Sequence, residues 1–224
     1  FRQLKAQKNM NKNLSFITNE ENQSLKERFR SLIKDTSFFD CLVGYFYSSG
    51  FHAIYPALEN TNKIRILIGI GTNKQTFNMM AQADKQTQPV FDFSHAETKQ
   101  EIENLVESEM AGSEDNRKVE ESVHTFIDWI NREKLEIRAY PSQKIHAKLY
   151  IMTFREGDRD TGRVITGSSN FTQSGLVDNL EFNVELQRPE DYNFALNKFN
   201  ELWESAVDVS EKYVLKAITK TIPK

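Results

Sequence analysis

The chain has 224 residues, 38% hydrophobic and 27% charged, with a net charge of −3. This fits one large globular domain, or a domain with appendages, and gives no global push toward nucleic acid. Its single cysteine, Cys41, excludes an intrachain disulfide framework and a cysteine-rich zinc site, and no apolar run approaches the ~20 residues that span a bilayer.

The opening stretch FRQLKAQKNM lacks the apolar core of a secretory signal, so residues 1–14 are read as an N-terminal extension. Cys41 lies among Phe38, Phe39, Leu42 and Val43, where it is expected to be a small buried hydrophobe. A reducing, cytoplasmic compartment is the corresponding expectation.

In NQSLKERFRSLIKDT, the residues Leu25, Phe29, Leu32 and Ile33 have helical spacing. SFFDCLVGYFYSSG then reads as a buried strand that ends at Ser48, Ser49 and Gly50, and a helix follows over about Phe51 to Glu59. KIRILIGIGT alternates as a second strand, which makes strand, helix and strand a βαβ unit with a parallel pair. Residues 74 to 131 are read as a helical insertion, with Ile102, Leu105 and Val106 on one face and Val123, Phe126, Ile127 and Ile130 on another. LEIRAYP is a further strand.

KIHAKLYIMTF alternates as a strand that places Ile145, Ala147, Leu149 and Ile151 on one side and His146, Lys148 and Tyr150 on the other. REGDRDTG and the returning RVITGSSN give a hairpin signal, LEFNVELQ is one more strand, and the segment from Asp191 is helical. Phe194, Leu196, Phe199, Leu202 and Trp203 are its expected apolar positions. The fold class is α/β, a mixed sheet flanked by helices.

His146-x-Lys148, Gly167-Ser168-x-Asn170 and Glu181 form an ordered set of polar residues on strands expected to be neighbours. An imidazole can attack phosphorus, a lysine and an asparagine can hold non-bridging oxygens as charge builds, and a carboxylate can fix the tautomer of the histidine. Gly167 permits close backbone approach. Basic residues outnumber acidic ones from Arg132 to Asn170, and Lys144 is a further candidate for holding substrate. His52, His95 and His124 lack partners at metal-ligand spacing, so no metal is expected. GIGTNK, from Gly69 to Lys74, lacks the phosphate-loop pattern and reads as a turn.

In these residues the sequence resembles the phospholipase D superfamily, whose motif runs H-x-K, four residues, D, then G-S-x-N after a short gap. His146, Lys148, Gly167, Ser168 and Asn170 match it, and Glu181 falls where nucleases of the family carry the acid that bonds the histidine. Thr153 stands at the position of the motif aspartate, which the family uses structurally, with Asp158 and Asp160 as candidate substitutes. The wider pattern is similar to the phospholipase D-like domain at the N-terminus of many bacterial superfamily-two helicases. On that resemblance, residues 15–207 are the domain and 208–224 a C-terminal helix or linker to a downstream helicase motor.

The resemblance also implies a homodimer, because the chemistry needs two histidines and the chain has one His-Lys set. The implied activity is a phosphodiesterase of nuclease type that acts on DNA, or on RNA, without a cofactor. The competing reading is a DNA-binding or dimerisation module that does not cut. A lipid hydrolase ranks third, because the chain shows no membrane-facing amphipathic helix.

Overall fold

Eight strands pair into one mixed sheet in the order β1-β7-β6-β5-β2-β3-β4-β8. The computed structural model describes residues 15–20, 24–44, 46, 48–69, 117–140, 145–158 and 160–210. Within them the strands are β1 (Phe16–Ile17), β2 (Thr36–Val43), β3 (Lys63–Gly69), β4 (Leu135–Tyr140), β5 (Leu149–Phe154), β6 (Gly162–Gly167), β7 (Asn183–Leu186) and β8 (Val207–Asp208). The helices are α1 (Leu25–Ile33), α2 (Ser48–Leu58), α3 (Arg117–Asn131) and α4 (Pro189–Glu204).

The βαβ expectation holds. β2 and β3 are parallel, β4 continues parallel to β3, and β5, β6 and β7 follow as antiparallel neighbours on the other side of β2. The expected hairpin is the β5–β6 pair, in register from Leu149 opposite Thr166 to Thr153 opposite Gly162.

Side chains of the central strands alternate between two apolar layers. Cys41, Ile66, Tyr150 and Ile165 face α1, α2 and α3 in the larger core, while Leu42, Leu67, Ile151 and Val164 face α4 in the smaller one. Burial of an average core side chain here contributes roughly 1.5–3 kcal/mol.

α1 begins where Ser24 Oγ accepts the backbone N–H of Glu27, and its buried residues are Leu25, Phe29, Leu32 and Ile33, as the spacing predicts. Asn19, at φ 62°, accepts the N–H of Leu25 and donates to the carbonyls of Gly175 and Asn179. The start of α1 is thereby tied to the segment that follows the Gly-Ser-x-Asn motif.

Three expectations need correction. The strand expected over 144–154 begins at Leu149, so His146 and Lys148 lie in extended chain just before it. α3 does not belong to an insertion, because Phe126, Trp129 and Ile130 pack in the main core. Val123 is on α3, whereas Ile102, Leu105 and Val106, with most of GIGTNK and His95, lie outside the described residues. On α4 the buried positions are Tyr192, Ala195, Phe199 and Trp203, and Phe194 is 75% exposed. The 207/208 boundary falls inside β8, which pairs with β4.

Candidate active site

β2, β3 and β4 end at the same edge of the sheet, and the chain entering β5 passes there because Leu149 lies opposite Leu42. His146 is three residues upstream of Leu149 and exposed at that edge. Gly44, just past β2, sits behind it. A Cβ at Gly44 would lie 3.7 Å from His146 Cδ2 and 3.9 Å from Asn170 Oδ1, so the imidazole and the amide are neighbours across this glycine.

Lys148 lies under the imidazole. Its Nζ is 3.1 Å from Nδ1 and 3.3 Å from Nε2 of His146, and it donates to the His146 carbonyl at 3.2 Å. The residue is 7% exposed. Burial pulls the ammonium pKa below its ordinary value, and the Glu181 carboxylate offsets part of that pull. The expected face of His146, Lys148 and Tyr150 therefore exists, but it runs inward, since Tyr150 is fully buried in the core.

The Gly-Ser-Ser-Asn turn is pinned from below. Ser169, fully buried, donates its N–H to Asn183 Oδ1 and accepts Asn183 Nδ2 at its hydroxyl, and its carbonyl accepts the Tyr150 hydroxyl at 2.8 Å. Its neighbours Ser168 and Asn170 are held on the open side. Gly167 is required by contact, because a Cβ there would meet the Phe182 carbonyl at 2.2 Å.

Ser168 Oγ accepts the Phe182 N–H at 3.0 Å and donates to Glu181 Oε2. Asn170 Oδ1 is buried and has no hydrogen-bond partner. A buried acceptor left unpaired costs about 1–3 kcal/mol, and such orphans in folded proteins call for a ligand or a functional role. Rotation of the amide by half a turn offers an N–H at the same point.

The match to a family of known proteins decides what this cluster belongs to. The family described as cardiolipin synthase, PLD-like domain, matches residues 29–203. The chain belongs to this phospholipase D-like family. No curated protein matches it. Similar solved structures include the phospholipase D family member Nuc from Salmonella typhimurium, at 16% identity over 81% of this chain and 88% of that one, with a TM-score of 0.43. NucT from Helicobacter pylori is 12% identical over 82% of this chain and 90% of that one, with a TM-score of 0.43. The phosphatidylserine synthase of Haemophilus influenzae is 14% identical over 87% of this chain and 39% of that one, with a TM-score of 0.48.

In this phospholipase D-like chain the structure brings His146, Lys148 and Asn170 together around Gly44, and Ser168 and Glu181 together beside them. The expected bond from Glu181 to the imidazole is not among the observed contacts, and the carboxylate is held by Ser168 instead. Lys144 lies outside the described residues.

Asp158 and Asp160 do not replace the motif aspartate. They sit at the far turn of the β5–β6 hairpin, about 20 Å of strand from His146, and Asp160 pairs with Arg163. Thr153, at the aspartate position, shares a hydrogen bond of 2.8 Å with the Tyr192 hydroxyl. Among the described residues no group of three or more His, Cys, Asp or Glu side chains is placed to hold a metal, and no helix is long and apolar enough to cross a membrane.

Gly44, Ser169 and Asn183 were not singled out by the sequence. The available signals were a glycine directly after a strand and an asparagine at an inward position of LEFNVEL.

Proposed function

We propose that the chain is a metal-independent phosphodiesterase of nuclease type acting on DNA, with His146 as nucleophile. The observation that carries this reading is the grouping of His146, Lys148 and the unpartnered Asn170 amide around Gly44. An imidazole nitrogen attacks phosphorus, a P–N bond forms, and the P–O bond to the leaving oxygen breaks. His146 of a second copy donates the proton to that oxygen, then takes one from the water that cleaves the P–N bond. Lys148 and Asn170 hold the non-bridging oxygens as negative charge gathers on them. Lys144 adds a contact to the substrate backbone, and the chain acts as a module of a larger protein with a helicase motor.

Hydrolysis of single- and double-stranded DNA in excess EDTA, compared with His146→Ala, tests the reading. The expected result is cleavage that survives the chelator and falls on the order of 10³-fold or more in the variant. Cleavage unchanged in His146→Ala would sink it.

The absence of a carboxylate bond to the imidazole among the described contacts, together with Thr153 at the aspartate position, favours a second reading: a DNA-binding module with the same phosphate pocket and no turnover. Salt-dependent binding without any cleavage is its signature.

A further inference from the structure

α4 covers only part of its face of the sheet. Between its flank and the edge strands runs an open trough of about 440 Å³, floored by Leu149, Val164 and Leu186. The loop carrying Ile145, His146 and Ala147 closes one end, so whatever fills the trough lies beside the candidate nucleophile.

The other wall is a single stripe of α4: Asp191, Ala195, Lys198 and Leu202, with Phe194 at the rim. These positions follow a spacing of four, three and four residues, one flank of a helix. Phe194 is the most exposed large apolar side chain among the described residues, at 75%, and it stands next to an apolar trough it does not fill.

The stripe is self-complementary. Asp191 and Lys198 are equally distant from the midpoint between Phe194 and Ala195, so an antiparallel two-fold at that midpoint sets Asp191 of each copy against Lys198 of the other. Their present partners are cheap to exchange. Asp191 pairs with Arg188 at 2.9 Å and Lys198 with Glu201 at 2.8 Å, both solvent-exposed i,i+3 pairs of little worth.

We propose that this flank is a homodimer surface, the partner being a second copy of this chain. The two α4 helices pack antiparallel, each Phe194 enters the trough of the other copy, and the two Asp191–Lys198 pairs fix direction and register. A two-fold contact needs one patch that is its own complement, which a stripe of acid, aromatic and base at symmetric spacing supplies. This goes beyond the chemistry at His146 and stands whether or not the chain cleaves a phosphodiester. It also seats a second copy against the loop that holds His146.

Sedimentation equilibrium of the full chain tests it. The wild type is expected to be a dimer, and Phe194→Asp to weaken association on the order of tenfold or more, as for a central aromatic anchor. Asp191→Lys alone should weaken it, and Asp191→Lys with Lys198→Asp should restore it. Phe194→Cys should give a disulfide-linked dimer on mild oxidation, since Cys41, the one natural cysteine, is buried. A wild type that is monomeric at every concentration overturns the proposal, as does a dimer indifferent to Phe194→Asp. Neither outcome touches the reading of His146, which falls only if His146→Ala cleaves DNA as the wild type does.

Discussion

Lys148 is the residue whose chemistry the surroundings alter most directly. Nearly all of it is withdrawn from water, which disfavours its charged form, and the Glu181 carboxylate is the counterweight. Its pKa in the folded chain is thus below 10.5, the ordinary value. Between those two values the unfolded chain binds more protons, so stability rises with pH through that window and this contribution is lost as pH falls through the folded pKa. Glu181→Gln removes the counterweight and should lower the Lys148 pKa further. Titration of the Lys148 side chain by NMR checks this, and an unmoved or raised value would show that Glu181 does not support the ammonium. If cleavage needs the charged amine, the alkaline limb of the pH profile moves down with it. The identities of His146 and Lys148 were legible from their spacing in the sequence. The partner of Glu181 was not, because a motif gives positions along the chain and Ser168 lies close enough to capture the carboxylate first.

At the scale of elements, the site depends on how firmly the end of β6 is joined to the start of β7. Asn183 makes that joint: it bonds the N–H and hydroxyl of Ser169, while Tyr150 holds the Ser169 carbonyl from the neighbouring strand. Asn183→Leu should leave two buried polar groups of Ser169 unpaired, at about 1–3 kcal/mol each. Urea unfolding measures the loss. A midpoint equal to that of the wild type would mean the turn is held elsewhere. Strand periodicity revealed the βαβ unit and the β5–β6 hairpin, since alternation is a local property of each segment. It misplaced the start of β5, because His146 and Lys148 keep the alternating pattern after strand pairing has stopped at Leu149. Phe194 was misread as core for a related reason. Helical spacing identifies an apolar flank, but which part of the sheet that flank covers depends on where α4 crosses it.

On the scale of the whole molecule, α4 is fastened to the sheet by a buried charge. Asp40 on β2 and Arg65 on β3 are direct neighbours in register, joined by two hydrogen bonds of 2.6 and 2.8 Å, with Asp40 only 1% exposed. The guanidinium lies 4.9 Å from the ring centre of Phe199 and 5.4 Å from that of Trp203, the two aromatics α4 sets on the sheet. One cation thus bonds the central strands and stacks under the helix that carries Phe194. Burial already raises the Asp40 pKa above its ordinary 3.8, and the contacts with Arg65 hold it down. Arg65→Met keeps the bulk but strands the carboxylate, which should cost roughly 3–5 kcal/mol near neutral pH. The sign of the pH dependence follows. With the Asp40 pKa raised further, the folded variant binds more protons than its unfolded chain above 3.8, so its stability falls as pH rises through that range, and most of the deficit should vanish in acid. Adding Asp40→Asn should recover part of it at neutral pH, since no charge is then left without a partner. Urea midpoints for the three proteins at neutral and acidic pH decide the matter: a deficit in Arg65→Met that is the same at both would assign the loss to the aromatic stacking of Arg65 rather than to the buried pair. In either case loosening of α4 should carry over to association of the chain, because the helix that presents Phe194 is the one that Arg65 holds in place.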